Sequence, residues 1–346
     1  MTNSVAGVIL AAGMGTRMRS ELIKVLHPLG GEPMLTYPIQ ALREAGVTRI
    51  VVVVGHQADR VKASIGDGVE YVVQSEQLGT AHAVQQSADA LRGFAGAVVV
   101  TYGDTPLYRP ETYRRLVQEH VTQGAAASVL STVVADPRGY GRIVRNAEGG
   151  FDRIVEQRDI HSPATEEIRE INTGTYCFTA PELYSALQDV RNDNDQGEYY
   201  LPDALVVLRE RGRRVHISTL SDDVEAMGIN DRVQLARAEL EIKRRTLRRL
   251  MEAGVTIIDP ESVYIHPSVE IGRDSVIHPF TTIEGRTRVG QRCEIGPHVR
   301  LLDAHVGDGA VVVASHVVRS TVEADARVGP AVYRGDATTQ ISEVTW

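Results

Sequence analysis

Short, continuously apolar runs alternate with longer amphipathic stretches over the first part of the chain. The apolar runs, rich in valine and isoleucine, occupy residues 5–10, 49–54, 69–74 and 97–102. The stretches between them have the apolar spacing of helices and cover residues 33–45, 58–65, 79–91 and 110–123. Strands that alternate with helices are typical of a parallel sheet covered on both faces. The pattern predicts an α/β domain with a Rossmann-like, mostly parallel sheet.

Further extended segments follow, at residues 128–134, 140–145, 151–157 and 170–178. They predict that the sheet gains additional, partly antiparallel strands. A helix is expected at 202–211, and the stretch from Asp231 to Met251, which contains no Gly or Pro, predicts one long helix.

A six-residue repeat of aliphatic residues begins at Ile265. Aliphatic residues recur at Ile265, Ile271, Ile277, Ile283, Val289, Ile295 and Leu301, and after a one-residue shift at Val306, Val312 and Val318. This hexapeptide repeat is the signature of a parallel β-helix, in which each aliphatic residue points to the axis and three units make one coil. A sandwich of alternating strands would instead show period 2 with irregular turns.

These changes of pattern divide the chain into four expected segments. They are an α/β domain over 1–229, a linker helix over 230–253, a short β-helix over 254–330 and a divergent tail over 331–346. A length of 346 residues agrees with two domains rather than one.

Composition narrows the class of protein. The net charge of −8 argues against a general nucleic-acid binder, which would carry a basic stripe. Cys177 and Cys293 lack metal-ligand spacing and are interpreted as buried small hydrophobic residues. No apolar run approaches membrane-spanning length and no secretory leader is evident, so we expect a cytoplasmic protein with no membrane partner.

The first apolar run leads directly into a glycine-containing loop with two cations. Gly13 and Gly15 allow sharp turns and close backbone approach to a ligand, and Arg17 and Lys24 place positive charge beside exposed backbone N–H groups. The loop is neither a P-loop nor a full dinucleotide fingerprint. A plain tight turn would also explain the glycines, but the added cations favour a polyphosphate site.

Other polar residues follow the remaining strands of the expected sheet. Gln74, Gly79 and Thr80 come after the third strand, and Tyr102 and Asp104 after the fourth. Ligands of open α/β sheets bind at the carboxyl ends of the strands, so these residues should meet the glycine loop. Asp104 is suited to Mg²⁺, although it could instead cap a turn; Gly79 and Thr80 could simply begin a helix.

The second half of the same domain offers groups suited to sugar hydroxyls. Glu156, Asn172 and the segment around Tyr199 supply such donors and acceptors. For Tyr199 an ordinary loop leading into the next helix is the alternative.

Taken together, these residues closely resemble the nucleotidyltransferases that activate sugar 1-phosphates, and among them the bifunctional N-acetylglucosamine-1-phosphate uridyltransferase family of bacterial cell-wall synthesis. The motifs that carry the resemblance are 10–18, 24–27, Gln74, 77–80, 102–104, 139–142, 154–156, 170–174, 197–200 and 228–230. They span residues 5–230, and the repeat extends the likeness to about residue 330. The resemblance implies that the β-helix is left-handed and that the protein is a homotrimer.

The resemblance also implies a role for each matching residue. The nucleotide would be lined by the backbone of Leu10, Ala11, Ala12, Gly13 and Gly15. Arg17 and Lys24 would be the catalytic cations, Lys24 also binding substrate, and Gln74, Gly79 and Thr80 would read the uracil. Tyr102 would lie beside the sugar nucleotide, and Asp104 and Asn230 would hold Mg²⁺, Asn230 also counting as substrate-binding. Gly141, Glu156, Asn172 and Tyr199 would contact the N-acetylglucosamine part or shape its pocket.

The largest departure from the family lies after Pro330. Residues 331–346 lack the six-residue rhythm, whereas the family continues with the coils that build its acetyltransferase site. We therefore expect the first activity alone: UTP and N-acetylglucosamine 1-phosphate give UDP-N-acetylglucosamine and pyrophosphate. The alternatives are another nucleotide or sugar 1-phosphate, or a non-catalytic sugar-nucleotide-binding protein.

Overall fold

The computed structural model of the protein describes residues 4–335 and 340–341. The chain forms two compact units. The first comprises Met1–His27 and Pro33–Leu235, and the second Pro28–Glu32 and Ala236–Trp346. The division falls inside the long helix that the sequence predicts.

Eleven strands and seven α-helices precede the long helix α8 in the described part of the chain. The strands are β1 (Val5–Ala11), β2 (Pro28–Leu29), β3 (Glu32–Pro33), β4 (Arg49–Val54), β5 (Glu70–Val73), β6 (Ala97–Tyr102), β7 (Ala127–Val133), β8 (Arg142–Arg145), β9 (Phe151–Val155), β10 (Glu170–Thr179) and β11 (Val215–Thr219). The helices are α1 (Thr36–Glu44), α2 (Ala58–Ile65), α3 (Thr80–Gln85), α4 (Pro110–Thr122), α5 (Pro163–Glu166), α6 (Ala180–Leu187), α7 (Leu201–Glu210) and α8 (Arg232–Glu252).

The first unit is built on one mixed sheet with the strand order β11-β7-β10-β6-β1-β4-β5. Strand β1 lies parallel between β4 and β6, whereas β10 is antiparallel to both β6 and β7. Strand β8 pairs with β10 and β9, which extends the sheet on one side. The expectation of a mostly parallel sheet with added antiparallel strands is confirmed.

Both faces of this sheet are buried, which explains the unbroken apolar runs. In β1, Val8 and Leu10 belong to the apolar cluster on one face, and Ile9 and Ala11 to the cluster on the other. The alternation follows from the two-residue side-chain period of a strand. Cys177, in β10, is buried in the second cluster, and Cys293 is also buried without a disulfide, as expected.

Two elements of the first unit differ from the expectation. The helix expected over 79–91 ends at Gln85, and residues 86–93 form turns. The Ser87 hydroxyl there donates to the Val84 carbonyl oxygen at 2.6 Å, a local bond that competes with helix continuation. The short helix α6 and the strand β11, which pairs with β7, were not predicted.

Short strands stacked in three parallel sheets form the second unit. These strands are β12 (Thr256–Ile257), β13 (Tyr264–Ile265), β14 (Glu270–Ile271), β15 (Val276–Ile277), β16 (Thr282–Glu284), β17 (Arg288–Val289), β18 (Glu294–Ile295), β19 (Arg300–Leu302), β20 (His305–Val306), β21 (Val311–Val312), β22 (His316–Val318), β23 (Thr321–Val322), β24 (Arg327–Val328), β25 (Val332–Arg334) and β26 (Gln340–Ile341). Every third strand pairs in parallel, giving three five-stranded sheets. This is the arrangement expected of a left-handed β-helix.

The coils of this β-helix become shorter along the chain. Ile283 pairs with Leu301, eighteen positions on, but Leu301 pairs with Val317, only sixteen positions on. The prediction that Val318 continues the inward row is therefore wrong, because a second shortening places Val317 there, fully buried. Two adjacent valines in one strand point to opposite faces, and the pattern alone did not tell them apart.

Stacked strands continue beyond residue 330, where the divergent tail was expected to begin. Strand β25 pairs with β22 and β26 with β23, and Ile341 joins the apolar core. The rest of the expected tail, residues 336–339 and 342–346, lies outside the described residues. None of the helices within the described ranges has the length and apolar character needed to cross a membrane.

Candidate active site

The glycine loop after β1 is shaped to admit the Lys24 side chain. Gly15 has a φ of +63°, and a Cβ at this position would lie 2.5 Å from the Lys24 Cβ. Only glycine fits both the left-handed backbone and this space. Gly13 in the same loop has no neighbouring atom within 4 Å of a would-be Cβ, so its surroundings are open. Arg17 follows on the 3-10 turn Thr16–Met18, which the buried Met18 anchors.

Four predicted residues meet beside this loop, and we name them the cation cluster: Arg17, Lys24, Asp104 and Asn230. The Lys24 ammonium forms an ion pair with the Asp104 carboxylate. It also lies 3.3 Å from the Asn230 Oδ1, which accepts a second hydrogen bond from Arg17 Nη2 at 2.9 Å. The two cations and two oxygen ligands that the sequence analysis named are thus brought into mutual contact.

The pairing of the strands explains why Asp104 lies here. Leu10 of β1 is the register partner of Tyr102 of β6, so the carboxyl ends of the two parallel strands are adjacent. The Gly103 N–H then donates to the Leu10 carbonyl oxygen at 2.9 Å and holds the turn that presents Asp104.

Asn230 is far in sequence from the other three residues of the cation cluster. The backbone N–H of the buried Ile229 donates to the Asp104 carbonyl oxygen at 2.8 Å. The Asn230 N–H donates to Gln234 Oε1, in the first turn of α8, at 2.7 Å. These two bonds fix the Asn230 backbone on both sides.

The oxygens of this cluster fit a small, hard cation. Asp104 and Asn230 both contact the one Lys24 ammonium, so a single positive ion can reach both of them. Mg²⁺ typically takes one or two protein oxygens and completes its shell with phosphates and water. Within the described part of the chain, no group of three or more His, Cys, Asp or Glu residues is arranged to hold a metal. A metal here would therefore depend on ligands supplied by a substrate.

A cavity of about 510–540 Å³ lies on each side of the glycine loop. The larger is lined by Leu10, Ala12, Gly13, Gln74, Gln77, Gly79, Thr80, Ala83, Tyr102 and Glu198. It gathers most of the residues expected to bind a nucleotide. Ala11 lies apart from it, on the wall of the smaller cavity.

Hydrogen bonds shape the larger cavity. The Gln74 amide donates to the Gly79 carbonyl oxygen at 3.1 Å, and Gln77 donates to the Ala12 carbonyl oxygen at 2.8 Å. The sequence analysis includes Gln77 only within the motif 77–80 and does not predict its contact with the glycine loop. The one sequence feature that could have indicated this contact is the position of Gln77, two residues before the turn at Gly79.

Gly79 and Thr80 also have structural tasks. A Cβ on Gly79, whose φ is +111°, would lie 2.5 Å from the Tyr199 carbonyl oxygen. The Thr80 hydroxyl accepts a hydrogen bond from the Leu201 N–H at 2.8 Å. Tyr199 is therefore brought to this turn through its backbone. Thr80 also begins α3, and the segment around Tyr199 leads into α7, as the two alternatives expected.

A second group, which we name the Glu156 cluster, contains Gly141, Glu156 and Asn172. A Cβ on Gly141 would lie 3.0 Å from Glu156 Oε1, and the Asn172 N–H donates to the Gly141 carbonyl oxygen at 2.8 Å. The Asn172 side chain is nearly buried and donates to the Tyr176 hydroxyl at 2.7 Å. Burial raises the pKa of Glu156 to about 7, with smaller contributions from the negative charges of Asp159 and Asp203.

Tyr102 lies between the two clusters. Gly174 has a φ of +79°, and a Cβ there would lie 2.7 Å from the Tyr102 ring, so glycine makes room for that ring. Burial raises the pKa of Tyr102, and the negative charges of Glu156 and Asp104 raise it further. The phenol is therefore neutral over the physiological range.

An acidic cavity of about 880 Å³ adjoins Glu156 and was not predicted. Its wall includes Asp159, Asp193, Asp195 and Asp203. Burial raises the pKa of Asp203 to about 6, and the charges of Asp193 and Asp159 add to the effect. These aspartates are scattered along the sequence, so no spacing signalled that they share a wall.

Comparisons with known proteins agree with this geometry. Residues 6–221 match the Nucleotidyl transferase family, and residues 268–303 match the Bacterial transferase hexapeptide family. The chain is 48% identical over 331 residues to the bifunctional protein GlmU of Brevibacillus brevis, covering 96% of this chain and 72% of the relative. It is 45% identical over 323 residues to that of Bacillus velezensis, covering 93% and 71%. The GlmU of Exiguobacterium sibiricum is 48% identical over 325 residues, covering 93% and 72%.

Proposed function

The chain belongs to the family of bifunctional GlmU proteins and is a uridyltransferase of that family, and on this basis we propose that it converts UTP and N-acetylglucosamine 1-phosphate into UDP-N-acetylglucosamine and pyrophosphate. The observation that carries the proposal is the cation cluster beside the larger cavity. Two cations and two side chains with ligand oxygens are in contact in that cluster, and the cavity wall includes Gly13 of the glycine loop and Tyr102, two positions before Asp104.

In the proposed reaction a phosphate oxygen of the sugar phosphate attacks the α-phosphorus of UTP. The new O–P bond forms as the bond to the bridging oxygen breaks, and pyrophosphate leaves. No protein nucleophile is needed, so catalysis depends on positioning and on stabilisation of developing charge. Bound Mg²⁺ would supply charge neutralisation at the phosphates.

Arg17 and Lys24 would exchange their present partners for phosphate oxygens. Before substrate binds, Arg17 donates to Asn230, and Lys24 is paired with Asp104. These contacts hold both cations beside the reaction centre, Lys24 by an ion pair and Arg17 by a hydrogen bond to a neutral amide. The same exchange would free Asp104 and Asn230 to hold Mg²⁺.

Each of the remaining site residues would contact one part of the two substrates. Gln74, Gly79 and Thr80 would read the uracil, with Leu10, Ala12 and Gly13 along the nucleotide; Ala11 and Gly15 would act through the backbone of the same loop. Gly141, Glu156 and Asn172 would contact the N-acetylglucosamine part, and Tyr199 would shape its pocket. Tyr102, on the wall of the larger cavity, would lie beside the sugar nucleotide.

A panel of nucleotides and sugar 1-phosphates, scored for pyrophosphate release with and without Mg²⁺, tests the proposal. We expect UTP with N-acetylglucosamine 1-phosphate to give the highest kcat/KM, and only with the metal. A higher value for another pair would reassign the substrates. Binding of UDP-N-acetylglucosamine without any turnover would make the protein a non-catalytic binder.

The absence of acetyl transfer, the formation of a homotrimer and a cytoplasmic location stay predictions. The curated relatives are called bifunctional, and the coils of the second unit stack in three parallel sheets of five strands each. An acetylation assay with glucosamine 1-phosphate and acetyl-CoA tests the expected absence of the second activity, and clear product formation would overturn it.

A further inference from the structure

Glu225 is a buried carboxylate that the proposed reaction does not use. Only 4% of the residue is exposed, and it lies in the 3-10 turn Asp223–Ala226. Its Oε2 accepts hydrogen bonds from the Arg109 N–H at 2.9 Å and the Thr112 hydroxyl at 2.6 Å. The Arg109 guanidinium lies 3.6 Å from its Oε1. A carboxylate is tolerated in the interior when it is paired and hydrogen-bonded in this way.

These contacts fasten the turn to the first residues of α4. Arg109 is the residue before α4, and its N–H together with the Thr112 hydroxyl lies at the positive end of that helix. The turn therefore cannot shift along α4 without leaving a buried charge unpaired, which is strongly unfavourable.

Two short segments lead from this contact to the cation cluster. One runs back from Arg109 to Asp104 through the buried Leu107, and the other runs from Glu225 to Asn230 through the buried Ile229. The Ile229 N–H donates to the Asp104 carbonyl oxygen at 2.8 Å and joins the two segments again. They form a closed frame, with Glu225 at one end and Asp104 with Asn230 at the other.

We propose that Glu225 is a positioning residue for the cation site, because it sets the distance between the Asp104 carboxylate and the Asn230 amide oxygen. The inference rests on the proposed function, since it takes these two residues as the metal-ligand pair. Glu225 contacts neither of their side chains, so its loss would change their spacing and not their charge.

Mn²⁺ binding to the protein saturated with UDP-N-acetylglucosamine, followed by the EPR signal of the free ion, tests the proposal without any turnover. We expect Glu225→Ala to weaken Mn²⁺ binding by about tenfold, since losing a partner that orients a metal ligand typically costs 10–100-fold in affinity. Glu225→Gln should recover most of the affinity, because an amide oxygen can accept the same two hydrogen bonds.

Two control variants separate positioning from stability. Asp222→Asn removes an exposed ion pair with the same Arg109, at 2.9 Å, and should change the affinity by less than about twofold. His120→Ala removes a buried side chain of α4 without touching Glu225, and should lower the Tm but leave Mn²⁺ binding unchanged.

The variant Asp104→Asn distinguishes a failure of the Glu225 proposal from a failure of the proposed metal-ligand pair. If this variant binds Mn²⁺ more weakly and Glu225→Ala binds it like the wild type, Glu225 is not a positioning residue and the proposed function stands. If Asp104→Asn binds Mn²⁺ like the wild type, the metal-ligand pair is wrong and the inference fails with it.

Should Glu225→Ala not fold, Thr112→Val provides a second test, because it removes one hydrogen-bond donor to Glu225. This variant must weaken Mn²⁺ binding more than Asp222→Asn does, and equal affinities of the two variants would overturn the proposal.

Discussion

The cation cluster and the Glu156 cluster hold their polar side chains by different means. In the cation cluster, Lys24 pairs with Asp104, and Arg17 and Lys24 share the Asn230 oxygen, so each side chain depends on another member. In the Glu156 cluster, Asn172 is fixed by Tyr176 and by the Gly174 N–H, which belong to its own strand. The side chains of the cation cluster can therefore exchange partners when a ligand binds, whereas Asn172 in the Glu156 cluster is already held in place before binding.

This difference implies different consequences of mutation. A change in the cation cluster removes charge where a reaction would develop it and should act on kcat. A change in the Glu156 cluster alters a preformed, partly buried wall and should act on substrate affinity and on the dependence of stability on pH.

The largest effect is expected from Asp104→Ala. Losing the carboxylate leaves Lys24 without its ion-pair partner and removes a metal ligand, so we expect kcat for pyrophosphate release to fall at least about 10³-fold. Asp152→Ala is the matched control, because Asp152 is also part-buried and paired, with Arg153 and Arg209. Near-normal turnover in a folded Asp104→Ala protein would remove this residue from the site.

Lys24→Met comes next and tests the charge of the cluster at nearly constant side-chain length. We expect kcat to fall about 10²-fold, the usual cost of one transition-state donor, with a smaller change in KM. Lys62→Met, which removes a surface lysine near the Tyr71 ring, should leave both constants unchanged. A rise in KM at unchanged kcat would show that Lys24 only binds substrate.

Gly15→Ala probes the backbone that admits Lys24. The φ of +63° and the 2.5 Å approach to the Lys24 Cβ make alanine strained here, and we expect a loss of about 1–3 kcal/mol in the free energy of unfolding. Gly13→Ala, with open space around it, should remain near wild-type stability. Equal denaturation midpoints for the two variants would contradict the steric argument.

The smallest effect concerns the pH dependence of stability at Glu156. Its folded-state pKa of about 7 lies above the ordinary value of 4.5, so the folded protein binds more protons between these pH values and loses stability as the pH rises. Glu156→Gln lacks this penalty, so its Tm relative to wild type should increase from pH 5 to pH 8.

Glu70→Gln provides the opposite case as a control. Its hydrogen bond with Arg49 lowers the pKa of Glu70, so the stabilisation is already complete above the unfolded-state pKa. Its Tm difference from wild type should stay flat from pH 5 to pH 8. A flat profile for Glu156→Gln as well would show that the pKa of Glu156 is not raised in the folded protein.

The sequence pattern placed Arg17, Lys24 and Asp104 near one edge of the expected sheet because they follow its first and fourth strands, whereas Asn230 was expected there only from the family resemblance. It did not reveal how Asn230 reaches Asp104, since the Glu225 contacts join positions more than a hundred residues apart. In the β-helix the strict spacing through Leu301 predicted the inward residues, but once the coils shortened, Val317 and Val318 were equally good candidates. Only the pairing of neighbouring coils distinguishes them.

We expect Asp104 and Asn230 to exchange Lys24 and Arg17 for a divalent ion when nucleotide binds. A crystal grown with UTP and Mn²⁺, examined by anomalous scattering at the manganese edge, tests it most directly. We expect one strong peak bonded to oxygens of both Asp104 and Asn230, with the Lys24 ammonium moved to a phosphate. A nucleotide bound with Lys24 still on Asp104 and the peak elsewhere would contradict it.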